Sequence, residues 1–585
     1  MAKRQLQWAI TIFVGILVII GGGSLLIRHV FWPQIQRLPF VSNSQIVSFH
    51  EHHHLDPDVP GMIFGGGLMP STSPQPFLDG EVVYLPAAFF TANFDQFLFW
   101  DAGADALIIT TRDDNLVFHV GQTRFYANGI PQNMQHPILN VDGVVFMPAS
   151  LAEALYPIIV HFNSQYNLVV VEDATIPHTT AELTRRTDIR FREDNNAPIA
   201  VRVPAGETVT VFEERGEFTR VRTGDGLLGW ALTSSLGEPT TVSPLNLIER
   251  ETLLGGFIFN SIHPPNWPAG RPVVMAWDSV SSMDANYARM QVPLYNSLNV
   301  IAPTWFSLNE GATILTSIVS REYVEWANES GVQVWPSFEI PGDVRNFLTD
   351  RVARQRIIGQ LVGYVDELGL GGINIDFEPR SPIEGPYFIQ FLRELAPPLR
   401  TRGAVLSVNT GVRESAFYER SLLAYTVDFV IIMAQDEYGH DSEISGPVAS
   451  VPFVQRSIEN LLEYVPREQL VLALPFYNRV WREIVGNNTP ETRQLRHFGV
   501  AYTRDWFDYS GAEWEWLPDI GNYYGEFTIL EDEDVVRYRV WLECERSIDV
   551  KLQICQANNL AGVAVWNRNF RNNEELWDVM GRFFP

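Results

Sequence analysis

The stretch Gly371–Pro379, GGINIDFEP, sets Asn374, Asp376 and Glu378 on alternate positions between Ile373, Ile375 and Phe377. A period of two reads as a strand with one apolar and one polar face. Acids two residues apart on a strand lie roughly 6–7 Å from each other. In a poorly solvated place such a pair resists double ionisation, so one acid keeps its proton near neutral pH. A carboxyl group that holds a proton there can act as a general acid. The same residues also suit a buried polar network that only satisfies itself.

From about residue 255 onward, apolar strands alternate with amphipathic helical patterns. The candidate strands are Val273–Trp277, Asn299–Phe306, Val332–Phe338, Gly372–Glu378, Ala404–Asn409, Asp428–Ala434, Leu470–Phe476 and Gly562–Asn567. Helical segments separate several of them. In one, Val352, Ile357, Leu361, Val365 and Leu368 are read as one apolar face. Eight strands with helical crossovers predict an α/β fold, a (β/α)8 TIM barrel. About 85 residues separate the last two strands, too many for one helix, which predicts an inserted α+β subdomain at 482–555. In a barrel, Ile373, Ile375 and Phe377 would face the helices, and Asn374, Asp376 and Glu378 the interior. Glu378 comes last, at the C-terminal end, where such barrels place their chemistry. Gly371 and Gly372 would allow tight packing at the strand entrance.

On these residues the region 255–585 resembles glycoside hydrolase family 18, whose strand-four signature is D-G-x-D-x-D-x-E, and within it the spore-cortex-lytic N-acetylglucosaminidases. PTWFSL (Pro303–Leu308), MAQDE (Met433–Glu437), LPFYNRVW (Leu474–Trp481) and GVAVW (Gly562–Trp566) are similar to its second, sixth, seventh and last strands. The resemblance implies substrate-assisted hydrolysis, in which the substrate's own 2-acetamido oxygen is the nucleophile. It implies Glu378 as acid and base, Asp376 as the group that orients the acetamide, and Asn374 as a support deeper in the barrel. Gln435 and Asp436 complete the implied catalytic set. Trp566 would floor the subsite, Trp277 would line it, Tyr477 and Arg479 would hold hydroxyls, and Trp305 and Met433 would join the substrate surface. No metal or organic cofactor is implied. The chain departs from the signature at Gly371, at Asn374 and at Gln435, which stands where the family has Tyr. Gln still donates through its amide, with a different shape and acidity.

The preceding 254 positions read as a string of smaller parts. The uncharged apolar run Trp8–Ile27 would span roughly 30 Å as a helix, enough for the hydrocarbon core. With Lys3 and Arg4 before it, residues 1–30 predict a single-pass membrane anchor with the rest of the chain outside; a cleaved signal peptide is the alternative. Residues 31–75 read as a linker containing His50, His52, His53 and His54, a conceivable metal site without regular ligand spacing. Residues 76–175 carry an internal repeat: GEVVYLPAAFF (Gly80–Phe90) is echoed by DGVVFMPASLA (Asp142–Ala152). Each copy reads strand, Pro-started helix, strand, and the module resembles the copper amine oxidase N-terminal domain. Residues 180–240 alternate valines with polar residues between turn signals at 204–206 and 224–226, and resemble a bacterial SH3-type barrel.

Composition narrows the function classes. The 585 residues are 46% hydrophobic and 19% charged, which excludes wholesale disorder. A net charge of −27 argues against nucleic acid and anionic polymers as partners. Sixteen Trp and 36 Phe suit sugar-stacking surfaces as well as large cores. The two cysteines, Cys544 and Cys555, cannot build a disulfide framework; they could form a single bridge, and read better as two free core thiols. No obligate protein partner is evident. The reading is a tethered, outward-facing hydrolase of cell-wall glycan or muropeptides, with chitin oligomers as the alternative substrate. A glycan binder on the same fold is the second reading. A metal-dependent deacetylase lacks a His/Asp cluster, since His440 and His497 stand isolated in sequence.

Overall fold

A computed structural model of the chain describes residues 45–243, 262–309, 314–340, 344–377, 381–413, 417–439, 442–486, 493–570 and 573–585. The run Trp8–Ile27 lies outside these, and with it the expected anchor. Among the described residues no helix is long and apolar enough to cross a membrane. The chain divides into two compact units, one of residues up to 96 with 134–259, the other of residues 97–133 with 260–585.

In the second unit eight strand positions pair in parallel: β1 (Val273–Asp278), β2 (Val300–Pro303 continued by Phe306–Leu308), β3 (Gln333–Val334 continued by Ser337–Ile340), β4 (Gly372–Phe377), β5 (Val405–Gly411), β6 (Phe429–Met433), β7 (Leu470–Pro475) and β8 (Gly562–Trp566). The ladder closes on itself, because β8 pairs with both β7 and β1. β2 and β3 are each broken once, and each half of β2 pairs with the matching half of β3. The break in β3 falls at Trp335-Pro336, where proline has no N–H for the ladder.

The alternation read from the sequence separates two apolar layers. Ile373, Ile375 and Phe377 are buried in the cluster shared with the surrounding helices. Inside the ring, Val273, Met275, Trp277, Val300, Ala302 and Trp335 belong to a second cluster that β5–β8 complete. β4 gives that interior no apolar side chain, since its inward row is Gly372, Asn374 and Asp376. A Cβ on Gly372 would lie 2.6 Å from the Val405 carbonyl oxygen and 3.0 Å from the Trp335 ring, so glycine leaves room for that indole.

The helix Arg351–Leu368 starts on Asp350, whose side chain accepts from Val352 and Ala353 N–H, and stops at Gly369 with φ 66°. Its buried face is Ala353, Ile357, Ile358, Leu361 and Val365. Val352, expected on that face, is 65% exposed; five residues before Ile357 is about 140° away around a helix.

After β7 the chain leaves into a five-stranded antiparallel sheet in the order Arg493–Phe498, Asn478–Ile484, Asp534–Leu542, Asn522–Glu531, Glu513–Leu517, with the helix Val500–Tyr509 against it. It returns through the helix Glu545–Ala557. Cys544 and Cys555 are free and buried, and burial pushes the Cys555 thiol up to about 12.

A further antiparallel sheet, Phe99–Asp101 to Ile130–Asn133, drawn from the stretch expected as the module at 76–175, belongs to this same unit. Polar groups hold it to the barrel helices. Arg354, fully buried, donates to Asp101 at 2.7 Å and Glu394 at 3.2 Å, and Asn115 Nδ2 donates to the Glu394 carbonyl. None of these partners is near in sequence, so no local pattern marks them.

In the other unit the two repeat copies pair with each other. Val82–Pro86 and Val144–Pro148 run antiparallel, and each leads into a short helix, Ala87–Asn93 and Ala149–Leu155. The expected linker is partly built into this unit, because Gly61–Phe64 pairs in parallel with Leu168–Asp173. Three apolar residues between turn formers are too short a signal to register as a strand. Among the described residues no three of His, Cys, Asp and Glu converge as metal ligands; His52 instead stacks on Phe191 at 3.8 Å. Seven strands between His178 and Val242 form the small β-domain, with φ 88° at Gly206 and 94° at Gly226 in the expected turns.

Candidate active site

The inward row of β4 climbs from packing to chemistry. Asn374 is fully buried and makes four hydrogen bonds. Its Oδ1 accepts from Trp277 Nε1 at 3.1 Å and Ser337 Oγ at 3.0 Å, and its Nδ2 donates to Ser407 Oγ at 3.0 Å and Asn409 Oδ1 at 2.9 Å. Every donor and acceptor of the amide is used, so Asn374 ties β1, β3, β4 and β5 together beneath the site. Asp376, one step higher, lines a cleft of about 700 Å³ with Met433, Gln435, Asp436, Tyr477 and Trp566. Glu378 lies outside the described residues; it follows Phe377, which lines the same cleft. Glu339 is the register partner of Asp376 on β3, so a further acid sits beside it on the same face.

On the facing wall Asp436, just past β6, takes donors from the end of β7 and from the insertion. Tyr477 donates its hydroxyl to Asp436 Oδ1 at 2.7 Å, and Arg479 Nη2 donates to the same oxygen at 2.7 Å. Asp436 has φ 58°, a left-handed value that aspartate tolerates better than most side chains. Burial first, then the Asp436 charge, pushes the Tyr477 phenol well above its usual range, so it stays a donor. Arg479 also lies 3.2 Å from His497 Nε2. A guanidinium can only donate, so Nε2 accepts and the proton sits on Nδ1. Burial, then the Arg479 charge, lowers the His497 pKa in keeping with a neutral ring. Gln435 lines the cleft with its Oε1 shut from solvent and without a hydrogen bond among the described residues. The peptide joining Trp566 to Asn567 is cis.

The structure relocates several expected residues. Trp277 is fully buried, bonded to Asn374 and packed 5.7 Å from Trp566, so it supports the floor rather than lining the cleft. Trp305 is 2% exposed, donates to Asn286 Oδ1 at 2.8 Å and packs on Tyr323 in the outer layer. Trp305 falls in the break of β2, where strand parity is lost: Ile301, Trp305 and Phe306 all belong to the outer layer. Tyr477 and Arg479 both donate to Asp436, and Tyr477 lines the cleft. The four hydrogen bonds of Asn374 go to Trp277, Ser337, Ser407 and Asn409. Sequence reasoning missed Glu339, His497, Arg413 and Arg456; His497 reaches the cleft from the insertion's strand Arg493–Phe498, which pairs with Asn478–Ile484.

Residues 321–570 match the family model of the glycosyl hydrolases family 18. The chain carries a family 18 domain. β4, with Asn374 and Asp376, lies inside the matched range of that domain, as do Gln435, Asp436, Tyr477 and Trp566. Residues 66–171 match the copper amine oxidase N-terminal domain and residues 186–237 the bacterial SH3 domain. The glycosylase YvbX of Bacillus subtilis is 20% identical over 325 residues, 51% of this chain and 91% of that protein. The cortical fragment-lytic enzyme of B. subtilis is 25% identical over 267 residues, 44% of this chain, and the chain spans only 57% of that relative's length. The solved structure of the spore cortex-lytic enzyme SleL from Bacillus cereus aligns with a TM-score of 0.45 at 15% identity, over 66% of this chain and 90% of that one.

Proposed function

We propose that the cleft at the C-terminal end of the barrel hydrolyses β-linked N-acetylglucosamine glycan with retention, by substrate assistance. Glu378 protonates the glycosidic oxygen. The substrate's acetamido oxygen then closes on the anomeric carbon as the glycosidic bond breaks. Asp376 accepts the acetamide N–H and offsets the positive charge of the oxazolinium ring. Glu378, now ionised, takes a proton from the water that opens the ring. The observation that carries this reading is the position of Asp376, at the top of β4 over a saturated Asn374 network, in a cleft shared with Trp566. Peptidoglycan or its fragments are the favoured substrate, supported by the SH3-type domain and by the names of the cortex-lytic relatives. The run Trp8–Ile27 supports a single-pass anchor with this cleft on the outer face of the membrane.

The test is release of reducing ends from wall glycan by the full chain and by Glu378→Gln. The reading expects turnover by the first and none by the second. Equal turnover by both would sink it. Gln435 favours a second reading, a glycan binder, because one positioned donor can be worth roughly 10²–10³ in rate. Saturable glycan binding by the wild type without hydrolysis would select that reading.

A further inference from the structure

The cleft holds two guanidinium groups that the hydrolytic steps leave without a task. Arg413 follows the end of β5, and Arg456 lies on the helix Val451–Leu462 after β6. Both are exposed and both line the cavity that contains Asp376 and Asp436. Among the described residues neither side chain makes an ion pair or hydrogen bond. Their neighbours differ. Arg479 is spent on Asp436, and Arg420 donates to the carbonyls of Gly411, Val412 and Arg413. The acids of the same wall are engaged too. Asp436 Oδ1 takes two donors, and Glu437 Oε2 accepts the Ser450 N–H at 2.7 Å.

The backbone beneath both arginines is fixed. Arg420 ties down the three carbonyls that end with Arg413 itself. The helix of Arg456 is capped by Ser450, whose side chain accepts from Phe453 N–H. The chain has 69 acids against 42 Lys and Arg, so cations that pair with none of the described residues of a cleft stand out against an excess of available carboxylates. A guanidinium on fixed backbone matches a carboxylate with two parallel N–H donors.

We propose that Arg413 and Arg456 select a glycan that bears a carboxylate beside the N-acetyl sugar, and so set the cleft against neutral N-acetylglucosamine polymers. The inference rests on the hydrolase reading of this cleft. Two sources carry the chemistry: the lactyl ether of muramic acid and the peptide stem attached to it.

The experiment compares the full-length wild type with Arg413→Met, Arg456→Met and the double variant. The substrates are wall glycan fragments with stem peptides, the same fragments stripped to the lactyl carboxylate by an amidase, the same fragments amidated with carbodiimide, and neutral chitooligosaccharides. Each single change should lower kcat/KM on the acidic fragments about five-fold, chiefly through KM, and the double change more than about tenfold. Amidated fragments and chitooligosaccharides should be turned over equally by all four proteins. The wild-type preference for acid fragments should shrink at about 0.5 M salt. Loss of the effect on stripped fragments assigns the stem peptide, and its retention assigns the lactyl group. Equal losses on every substrate, or none, overturn the proposal. If the wild type hydrolyses nothing, the hydrolase reading falls, and calorimetric affinities for acidic and amidated fragments decide the role of the arginines. Equal affinities for both would overturn it.

Discussion

Trp277 donates its indole N–H to Asn374 Oδ1, 3.1 Å away in the sealed interior below the cleft. That bond joins the first and fourth strands across the ring, and three further bonds of Asn374 complete the crossing.

Truncating Asn374 should therefore cost more than a lost contact. Asn374→Ala leaves the Trp277 N–H, Ser337 and Asn409 searching for partners, at about 3 kcal/mol. Asn374→Asp keeps the acceptor and should fall between. Urea midpoints are expected in the order wild type, Asn374→Asp, Asn374→Ala. An unchanged midpoint for the alanine variant would deny the network its role.

Asp436→Asn preserves the left-handed backbone at φ 58° but removes the counter-charge of Arg479, which is 3% exposed. Asp436 is itself half-exposed, so the expected cost is about 1–3 kcal/mol, below that of a fully buried pair. Tyr477→Phe should cost about 1 kcal/mol. Because both act on one oxygen, the double variant should lose less than the sum, which a thermodynamic cycle from denaturation curves measures.

Acid should loosen the N-terminal unit before it protonates the folded histidines. Burial, and then His52, His50 and His54, lower His53 from 6.5 to about 4. The unfolded chain thus takes the proton first as pH falls. The stabilising contribution is complete above about 6.5 and is lost on the way down to about 4. His497, lowered by burial and Arg479, acts in the same direction in the other unit. Thermal midpoints read from pH 7 to 4 should decline, and His53→Gln should flatten part of the decline. A slope unaltered by that change would count against His53 as the source.

Two glycines should respond oppositely to alanine. A Cβ on Gly562 would sit 1.9 Å from the Val273 carbonyl oxygen, where β8 meets β1. Gly562→Ala should destabilise by more than about 3 kcal/mol or abolish soluble expression. On Gly359, within the helix Arg351–Leu368, a Cβ meets nothing within 4 Å. Gly359→Ala should stabilise by up to about 1 kcal/mol. Matched thermal melts compare the two.

What the sequence disclosed follows the range of the interactions involved. The inward and outward faces of β4 were legible because strand parity is local, and the repeat at Pro86 and Pro148 because its two copies carry the same signal. Arg354 with Asp101, Glu339 beside Asp376 and His497 beside Arg479 were not legible. Each is a meeting of distant segments, and residue type alone does not distinguish it from a solvated charge.

The sheet at 97–133 sends the polypeptide from one unit to the other at 96 and back at 133. Neither body is therefore a cassette. One proteolytic nick at any crossing frees neither piece, and recombination that imported residues from 260 onward alone would deliver a barrel with Arg354 stripped of Asp101. Inheritance of this architecture has to carry both stretches together.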